Sequence, residues 1–278
     1  MTTHANEILV LGATGKTGRR LVRRLRAAGE TVRAASRSGE VPFDWYEPAT
    51  WQAALTGASA VYVVAPENDP APAHDFVKQA VERGVTRFVV LSARGIEHVD
   101  ERFGRGMVAV EDAVRESGTE WTVIRPNNFN QNFDEGLWQP ALLHGRLALP
   151  VGDLPEPFVD AEDVAEVAAR LLTREGHAGK VYELSGPRAL SFEDAVATIA
   201  QSAARTIQYV SLTPEEYHAE LLTQGYPEDA AETLGAVFAV LGAGHIAEPV
   251  EGVQRVLGRP PTDFAAYVSR AVGAGAWA

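Results

Sequence analysis

The feature that most constrains this chain is an apolar run, residues 7–11, followed at once by three glycines in the spacing Gly-x-x-Gly-x-x-Gly. These are Gly12, Gly15 and Gly18, and apolar residues at helical spacing begin directly after them. A strand that turns through small residues into a helix brings free backbone N–H groups to a helix N-terminus, where they attract phosphate. The sequence therefore predicts a dinucleotide site on a strand–turn–helix unit.

The same segment contains Gly15-Lys16-Thr17, which resembles the end of the phosphate-binding loop of proteins that bind nucleoside triphosphates. That loop needs a glycine five residues before the one that precedes the lysine, and Val10 stands there. The two residues between Gly12 and Gly15 are too few to wrap a triphosphate. We therefore exclude an ATPase or kinase built on that loop.

Strand-like and helix-like segments alternate through the first two thirds of the chain. Short strands that are apolar throughout, separated by helices, indicate a parallel sheet covered on both faces. The expected fold class is α/β, with a doubly wound parallel-sheet core and a small, mostly helical C-terminal substrate lobe. Predicted strands lie at 7–11, 31–36, 41–45, 60–65, 87–92, 121–125 and 181–184, and predicted helices at 17–28, 48–55, 191–203, 214–224, 227–241 and 261–272.

The alternation of strand-like and helix-like segments ends after Pro126, and residues 127–158 are rich in Asn, Pro and Gly. Asp160 then opens another helix as a plausible N-cap. We predict a nucleotide-binding core from residues 1–126 plus 159–186. The substrate lobe is then 127–158 plus 187–278.

The end of the second predicted strand suggests which dinucleotide is bound. Sites for NAD usually place a carboxylate there to hold the ribose 2′-hydroxyl. Here the chain reads Ser36-Arg37-Ser38, and no acid comes before Glu40. An arginine pairs well with a 2′-phosphate, and Lys16 is a second candidate cation. These residues favour NADPH over NADH.

Composition excludes several other classes of protein. The formal net charge of −12 repels phosphate backbones and anionic lipids, so we expect neither nucleic acid nor membrane as a partner. The arginines of the first helix are interpreted as a solvated face. The lack of cysteine excludes disulfides and a cysteine nucleophile, and the seven histidines lack metal-ligand spacing, so no metal is expected. The N-terminal residues lack a signal layout, which predicts a cytoplasmic protein.

An ordered set of motifs carries a more specific resemblance. GATGKTG, VYVVAP, RFVVLSARG, RPNNFNQNF, PFVDAEDVAEVA and YELSGPRALSF follow one another along the chain. Together they resemble the NmrA-like branch of the atypical short-chain dehydrogenase/reductases over nearly the whole length. Within it the chain is most similar to the agroclavine dehydrogenase type of NADPH-dependent iminium reductase and to NAD(P)H:quinone oxidoreductases. The resemblance implies a Rossmann core that binds NADP(H).

The glycine loop and the resemblance together give a set of candidate site residues. Asp44 is placed near adenine by the resemblance, with a plain turn residue as the alternative. Four aromatic residues are candidates for the substrate wall, with packing between the lobes as the alternative: Phe129, Phe133, Trp138 and Tyr217. The cofactor candidates are Gly12, Thr14, Gly15, Lys16, Thr17, Gly18, Ser36, Arg37, Asp44, Ala65, Pro66, Ser92, Ala93 and Asn127.

The chain departs from its relatives in the catalytic dyad. Carbonyl-reducing short-chain dehydrogenases use Tyr-x-x-x-Lys, and the matching positions here are Phe103 and Met107, which can neither donate a proton nor carry a charge. Ser92 alone cannot supply that acid, so no catalytic residue is assigned. We expect an NADPH-dependent reductase of an imine, iminium or quinone. A non-catalytic NADP(H)-sensing regulator is the alternative, and a homodimer stays open.

Overall fold

A seven-stranded parallel sheet is the centre of the fold in this computed structural model, which describes residues 7–66, 69–98, 104–242 and 244–278. In the order of the sheet its strands are β3 (Val41–Pro42), β2 (Val32–Ser36), β1 (Glu7–Leu11), β4 (Ala58–Val64), β5 (Arg87–Leu91), β6 (Glu120–Pro126) and β8 (Lys180–Leu184). The order reverses direction at β1, which is the topological switch point where α/β sheets bind ligands.

The helices alternate with these strands and then fill the second lobe. They are α1 (Lys16–Ala27), α2 (Trp51–Leu55), α3 (Pro72–Glu82), α4 (Arg105–Glu116), α5 (Gln139–Leu143), α6 (Ala161–Thr173), α7 (Phe192–Ser202), α8 (Pro214–Thr223), α9 (Glu228–Gly242), α10 (Gly252–Leu257) and α11 (Phe264–Gly273). None of the helices in the described parts of the chain has the length and apolar character that crossing a bilayer requires.

Both faces of the sheet are buried, which confirms the predicted doubly wound core. Successive side chains of a strand point to opposite faces. Accordingly Ile8 and Val10 of β1 join a cluster with α1 and α6, whereas Leu9 and Leu11 join one with α2, α3 and α4. Continuous apolar strands such as these suit only a sheet that is covered on both sides.

The arginines of α1 correct one sequence-based interpretation in part. Arg19, Arg23 and Arg26 are exposed, as expected, but Arg20 and Arg24 face the acidic first turn of α6. Arg20 is only 8% exposed, and its Nε donates to Glu162 Oε1 at 3.1 Å. Arg24 pairs with Glu162 and Glu166. The arginines of α1 and the acidic residues of α6 are separated by about 140 residues in the sequence. The sequence of either helix therefore does not indicate that the other is its partner.

The second lobe has its own apolar cluster, built around Phe133, Phe158 and Phe192. A parallel pair of strands that the sequence did not predict, β7 (Arg146–Leu149) and β9 (Gln208–Ser211), lies beside it. One segment assigned to this lobe differs from the expectation: Val253 and Val256 of α10 pack with the α6 side of the core sheet. The division of the chain at 126, 158 and 186 remains our proposal.

The start of α10 depends on a glycine. A Cβ built on Gly252 would lie 1.9 Å from the carbonyl oxygen of Glu183 in β8, whereas Gly235 inside α9 has open space around it. We expect Gly252→Ala to lower the free energy of unfolding by about 1–3 kcal/mol, because β8 must shift to admit a methyl group. Gly235→Ala is the matched control and should raise that free energy by up to about 1 kcal/mol. Urea unfolding measures both, and an unchanged midpoint for Gly252→Ala would contradict this packing of α10 on β8.

Candidate functional site

The predicted glycine loop joins β1 to α1 at the switch point of the sheet. Gly12 has φ +65°, a conformation that favours glycine. A Cβ on Gly18 would lie 2.1 Å from the carbonyl oxygen of Gly12, so α1 can approach β1 this closely only without a side chain there. Gly15 is the N-cap of α1, and the first turn has neither a side-chain cap nor an acidic residue. The N-terminus of α1 is therefore open to an anion.

A cavity of about 470 Å³ extends from this loop along the carboxyl edge of the sheet. Its volume lies within the range of ordinary ligand sites. Besides the loop, it is lined by the end of β2, the 43–46 turn, the end of β4, Leu91 and Phe129. The structure brings together here ten of the fourteen cofactor candidates: Gly12, Thr14, Gly15, Lys16, Thr17, Ser36, Arg37, Asp44, Ala65 and Pro66.

The charges at the end of β2 fit the preference for a 2′-phosphate. Arg37 lines the cavity, is exposed, and makes no ion pair with any residue that the structure describes. Glu40, the first acid after β2, is held outside by Arg26, which donates to its two carboxylate oxygens at 2.8 and 2.6 Å. The end of β2 thus offers the cavity a cation and no carboxylate.

Asp44 forms the predicted turn and also borders the cavity. Its carboxylate accepts from the backbone N–H of Tyr46 at 2.9 Å, which is the bond of an Asx turn, and its carbonyl accepts from Trp51 Nε1 at 2.9 Å. The turn that these bonds hold is a wall of the cavity. A contact between Asp44 and adenine stays a prediction.

Four cofactor candidates lie outside the cavity lining. Gly18 acts through the helix–strand approach described above. Ser92 is buried at the end of β5, directly after Leu91, and Ala93 follows it half-buried. Asn127 is buried, and its amide is occupied: Nδ2 donates to Glu156 Oε1 at 2.9 Å and to the carbonyl of Ile246 at 3.0 Å. These bonds join Asn127 to two other segments of the second lobe, and a contact between Asn127 and the cofactor stays a prediction.

Glu156, which the sequence reasoning missed, holds the chain directly before Phe129 of the cavity wall. It is 3% exposed, and its Oε1 also accepts from the backbone N–H of Asn128 at 3.0 Å. Burial raises the pKa of Glu156 above its usual value, and the donors on Asn127 and Asn128 only partly oppose that effect. Arg94 contacts the same group of side chains, because it donates to Asn127 Oδ1 at 3.0 Å. A single glutamate before a proline carries no sequence signal for this role.

Of the four aromatic residues predicted for the substrate wall, one lines the cavity. Phe129 lines the cavity. Phe133 and Trp138 pack with ring centroids 4.7 Å apart within the core of the second lobe, and Tyr217 packs on Phe238 at 5.3 Å in the same cluster. The side chains of Phe133, Trp138 and Tyr217 are 0–8% exposed. The structure thus favours the packing alternative for them, because burial in the lobe core leaves them no face for a ligand.

Lys16 lines the cavity, and its Nζ donates to Asn132 Oδ1 at 2.6 Å. Its role as a second cation for the 2′-phosphate stays a prediction. Burial lowers the pKa of Lys16, although the nearby carboxylates of Glu135 and Asp134 act in the opposite direction. Of the two positions that replace the usual dyad, Met107 is half-buried in α4, whereas Phe103 lies outside the described residues.

Comparison with known sequences shows which proteins this chain resembles. The profile of the NmrA-like family matches residues 4–268. Over 276 residues the chain is 31% identical to NAD(P)H azoreductase of Xenophilus azovorans, with 94% of this chain and 96% of the azoreductase covered. It is 29% identical over 289 residues to agroclavine dehydrogenase of Claviceps fusiformis, with 94% and 96% covered.

Solved structures share the fold over almost the whole chain. The triphenylmethane reductase of Citrobacter sp., complexed with NADP(H), superimposes with a TM-score of 0.82 at 22% identity and covers 95% of this chain and 99% of its own. NmrA, a negative transcriptional regulator solved in complex with NAD, gives a TM-score of 0.75 at 18% identity, with 99% and 97% covered. At these identities the two structures establish the architecture alone.

The raised pKa of Glu156 predicts how the stability depends on pH. A carboxyl group that keeps its proton longer when folded favours the native state at low pH, and this contribution is lost as the pH rises through its folded pKa. Glu156→Gln keeps an oxygen acceptor but cannot ionise. We therefore expect the free energy of unfolding of the variant, relative to the parent, to increase from about pH 4 towards neutrality. Urea unfolding across that range measures it, with the exposed Glu175→Gln as control. A relative stability that falls as the pH rises would refute the assignment.

Proposed function

The chain belongs to the NmrA-like family, and we propose that it is an NADP(H)-dependent reductase that transfers hydride to an activated small-molecule acceptor. One observation carries the proposal: a single cavity joins the open N-terminus of α1 to the cation Arg37 at the end of β2. A dinucleotide with a 2′-phosphate needs those two anion sites on one continuous wall. The azoreductase and agroclavine dehydrogenase relatives support a reductase.

The residues of the cavity fit NADP(H) in type and position. The first N–H groups of α1 would hold the pyrophosphate, and Arg37 with Ser36 and Ser38 would hold the 2′-phosphate. Ala65 and Pro66, at the end of β4, would lie beneath the ribose and nicotinamide. The bound cofactor supplies a hydride. The part of the protein in this reaction is to hold and orient the two reactants and to exclude water.

The cavity end formed by Leu91 and Phe129 determines which acceptors suit the enzyme. Its side chains are apolar, and the Tyr-x-x-x-Lys dyad is replaced by Phe103 and Met107. Reduction of a ketone creates a strongly basic alkoxide that needs a proton donor beside it. An iminium carbon already carries positive charge and leaves a neutral amine, and a quinone can take its protons from water. We infer that an imine, iminium or quinone is the acceptor.

The regulator alternative has less support than the reductase. A transcriptional regulator shares the fold at 18% identity, but the azoreductase and the agroclavine dehydrogenase, at 31% and 29% identity, are both named as redox enzymes. A small apolar or cationic acceptor is the proposed partner. The cytoplasmic location and a homodimer stay predictions, which localisation of the tagged chain and sedimentation would test.

The cofactor preference is tested at Arg37. Because Arg37 is exposed and unpaired among the described residues, its removal should not disturb the fold. Arg37→Ala should lose one charge-assisted contact, roughly 1.5–3 kcal/mol of NADPH binding, and leave NADH binding nearly unchanged. Calorimetric titration with both cofactors measures it, and Arg174→Ala removes an exposed arginine elsewhere as the control. Equal losses for both cofactors would contradict the 2′-phosphate assignment.

The acceptor class is tested by NADPH oxidation. We expect turnover with cyclic imines near or below their pKa or with quinones, little with simple ketones, and no steep titration of the rate by a protein acid. The control is the same reaction with NADH, which should be slower at equal concentration. A survey in which simple ketones are the best acceptors would overturn the proposed chemistry. Tight NADPH binding without turnover of any acceptor would support the regulator.

A further inference from the structure

Lys16 reaches from the cofactor loop to a segment more than a hundred residues away. Its Nζ donates to Asn132 Oδ1 at 2.6 Å, and a Cβ built on Gly136 would lie 3.3 Å from the same Nζ. The ammonium group is therefore enclosed by the segment 127–136, which we name the bridging segment. At the same time Lys16 is part of the cavity wall.

The bridging segment also forms the acceptor side of the cavity, through Phe129. The backbone N–H of Asn132 donates to the carbonyl of Phe129 at 2.9 Å, and Asn132 Nδ2 lies 3.4 Å from Asn128 Oδ1. Both bonds lie within one short turn. Asn132 is therefore bonded to the backbone of Phe129, the residue whose side chain lines the cavity.

Two other cations of α1 hold the same segment without lining the cavity. Arg19 and Arg20 both pair with Glu135, and Arg20 is buried between α1 and α6. These pairs fix the segment against α1 whether or not a ligand is present. Of these three cations, Lys16 is the one that contacts both the segment and the cavity.

We propose that Lys16 and Asn132 are positioning residues that couple cofactor binding to the acceptor side of the cavity, an inference that rests on the proposed function. Phosphate at the N-terminus of α1 brings negative charge close to the half-buried ammonium group and offsets part of the cost of burying it. An ammonium group has three donors, so Lys16 can bond to the phosphate and to Asn132 together, which orders the bridging segment and places Phe129. Because such coupling is reciprocal, NADPH should strengthen acceptor binding, and the acceptor should strengthen NADPH binding by the same factor.

Hydrogen exchange tests the coupling without any turnover. NADPH should slow amide exchange in the parent both in the glycine loop, residues 12–18, and in the bridging segment. In Asn132→Leu, whose side chain is not part of the cavity wall, the protection of 12–18 should remain and that of 127–136 should fall several-fold. Lys16→Met, measured at an NADPH concentration that saturates this variant, should show the same fall at 127–136. Lys78→Met, which removes an exposed lysine of α3, is the charge control and should behave as the parent. Undiminished protection of 127–136 in either variant would overturn the proposal, and so would joint loss at both segments.

Kinetics with menadione as the quinone acceptor give the second readout. At saturating NADPH we expect Asn132→Leu to raise the KM for menadione about tenfold with kcat within twofold. Lys16→Met should raise the same KM about tenfold, and the double variant should have a KM no higher than that of either single variant. Independent effects that multiply to about a hundredfold would show that the two residues do not act together. A parent enzyme that oxidises no NADPH would refute the proposed function, and the exchange experiment would still decide the coupling.

Discussion

The close approach of α1 to the end of β1 is the constraint on which the rest of the site depends. Gly18 can lie against the carbonyl of Gly12 only because it has no side chain, and Gly12 can turn there because its φ is +65°. This contact aims the open N-terminus of α1 along the carboxyl edge of the sheet. The other walls of the cavity come from the ends of strands of the same sheet and from the residues that follow them at the same edge.

Two sets of polar contacts then hold the second lobe against that edge. One is the pair of ion pairs from Arg19 and Arg20 of α1 to Glu135. The other is centred on the buried Asn127, whose backbone N–H donates to the carbonyl of Leu184 in β8 and whose Oδ1 accepts from Arg94. Buried polar groups of this kind destabilise a protein unless each finds a partner, and they therefore fix one relative placement of the chain segments that carry them.

The chemistry that follows is mainly one of positioning. The cavity has strong anion-binding groups at the cofactor end and apolar side chains at the Leu91 and Phe129 end. With Phe103 and Met107 in place of a tyrosine and a lysine, the acceptor must provide its own reactivity. A protein that positions the reactants, with an acceptor that is already reactive, agrees with relatives that are named as an azoreductase and an agroclavine dehydrogenase.

The sequence by itself determined the core of this protein, since strand, turn and helix signals are local. The glycine spacing and the apolar strands predicted the doubly wound sheet, which the structure confirms, and with Arg37 before Glu40 they also gave the proposed cofactor site and its proposed preference for NADPH. Only the tertiary structure decided which polar residues meet. It turned Lys16 towards Asn132, enclosed Asn127 with Glu156, and placed Arg20 of α1 against Glu162 of α6. It also buried Phe133, Trp138 and Tyr217. An aromatic or charged residue looks the same in sequence whether it faces a ligand or a partner, because the partner is set by packing between distant segments.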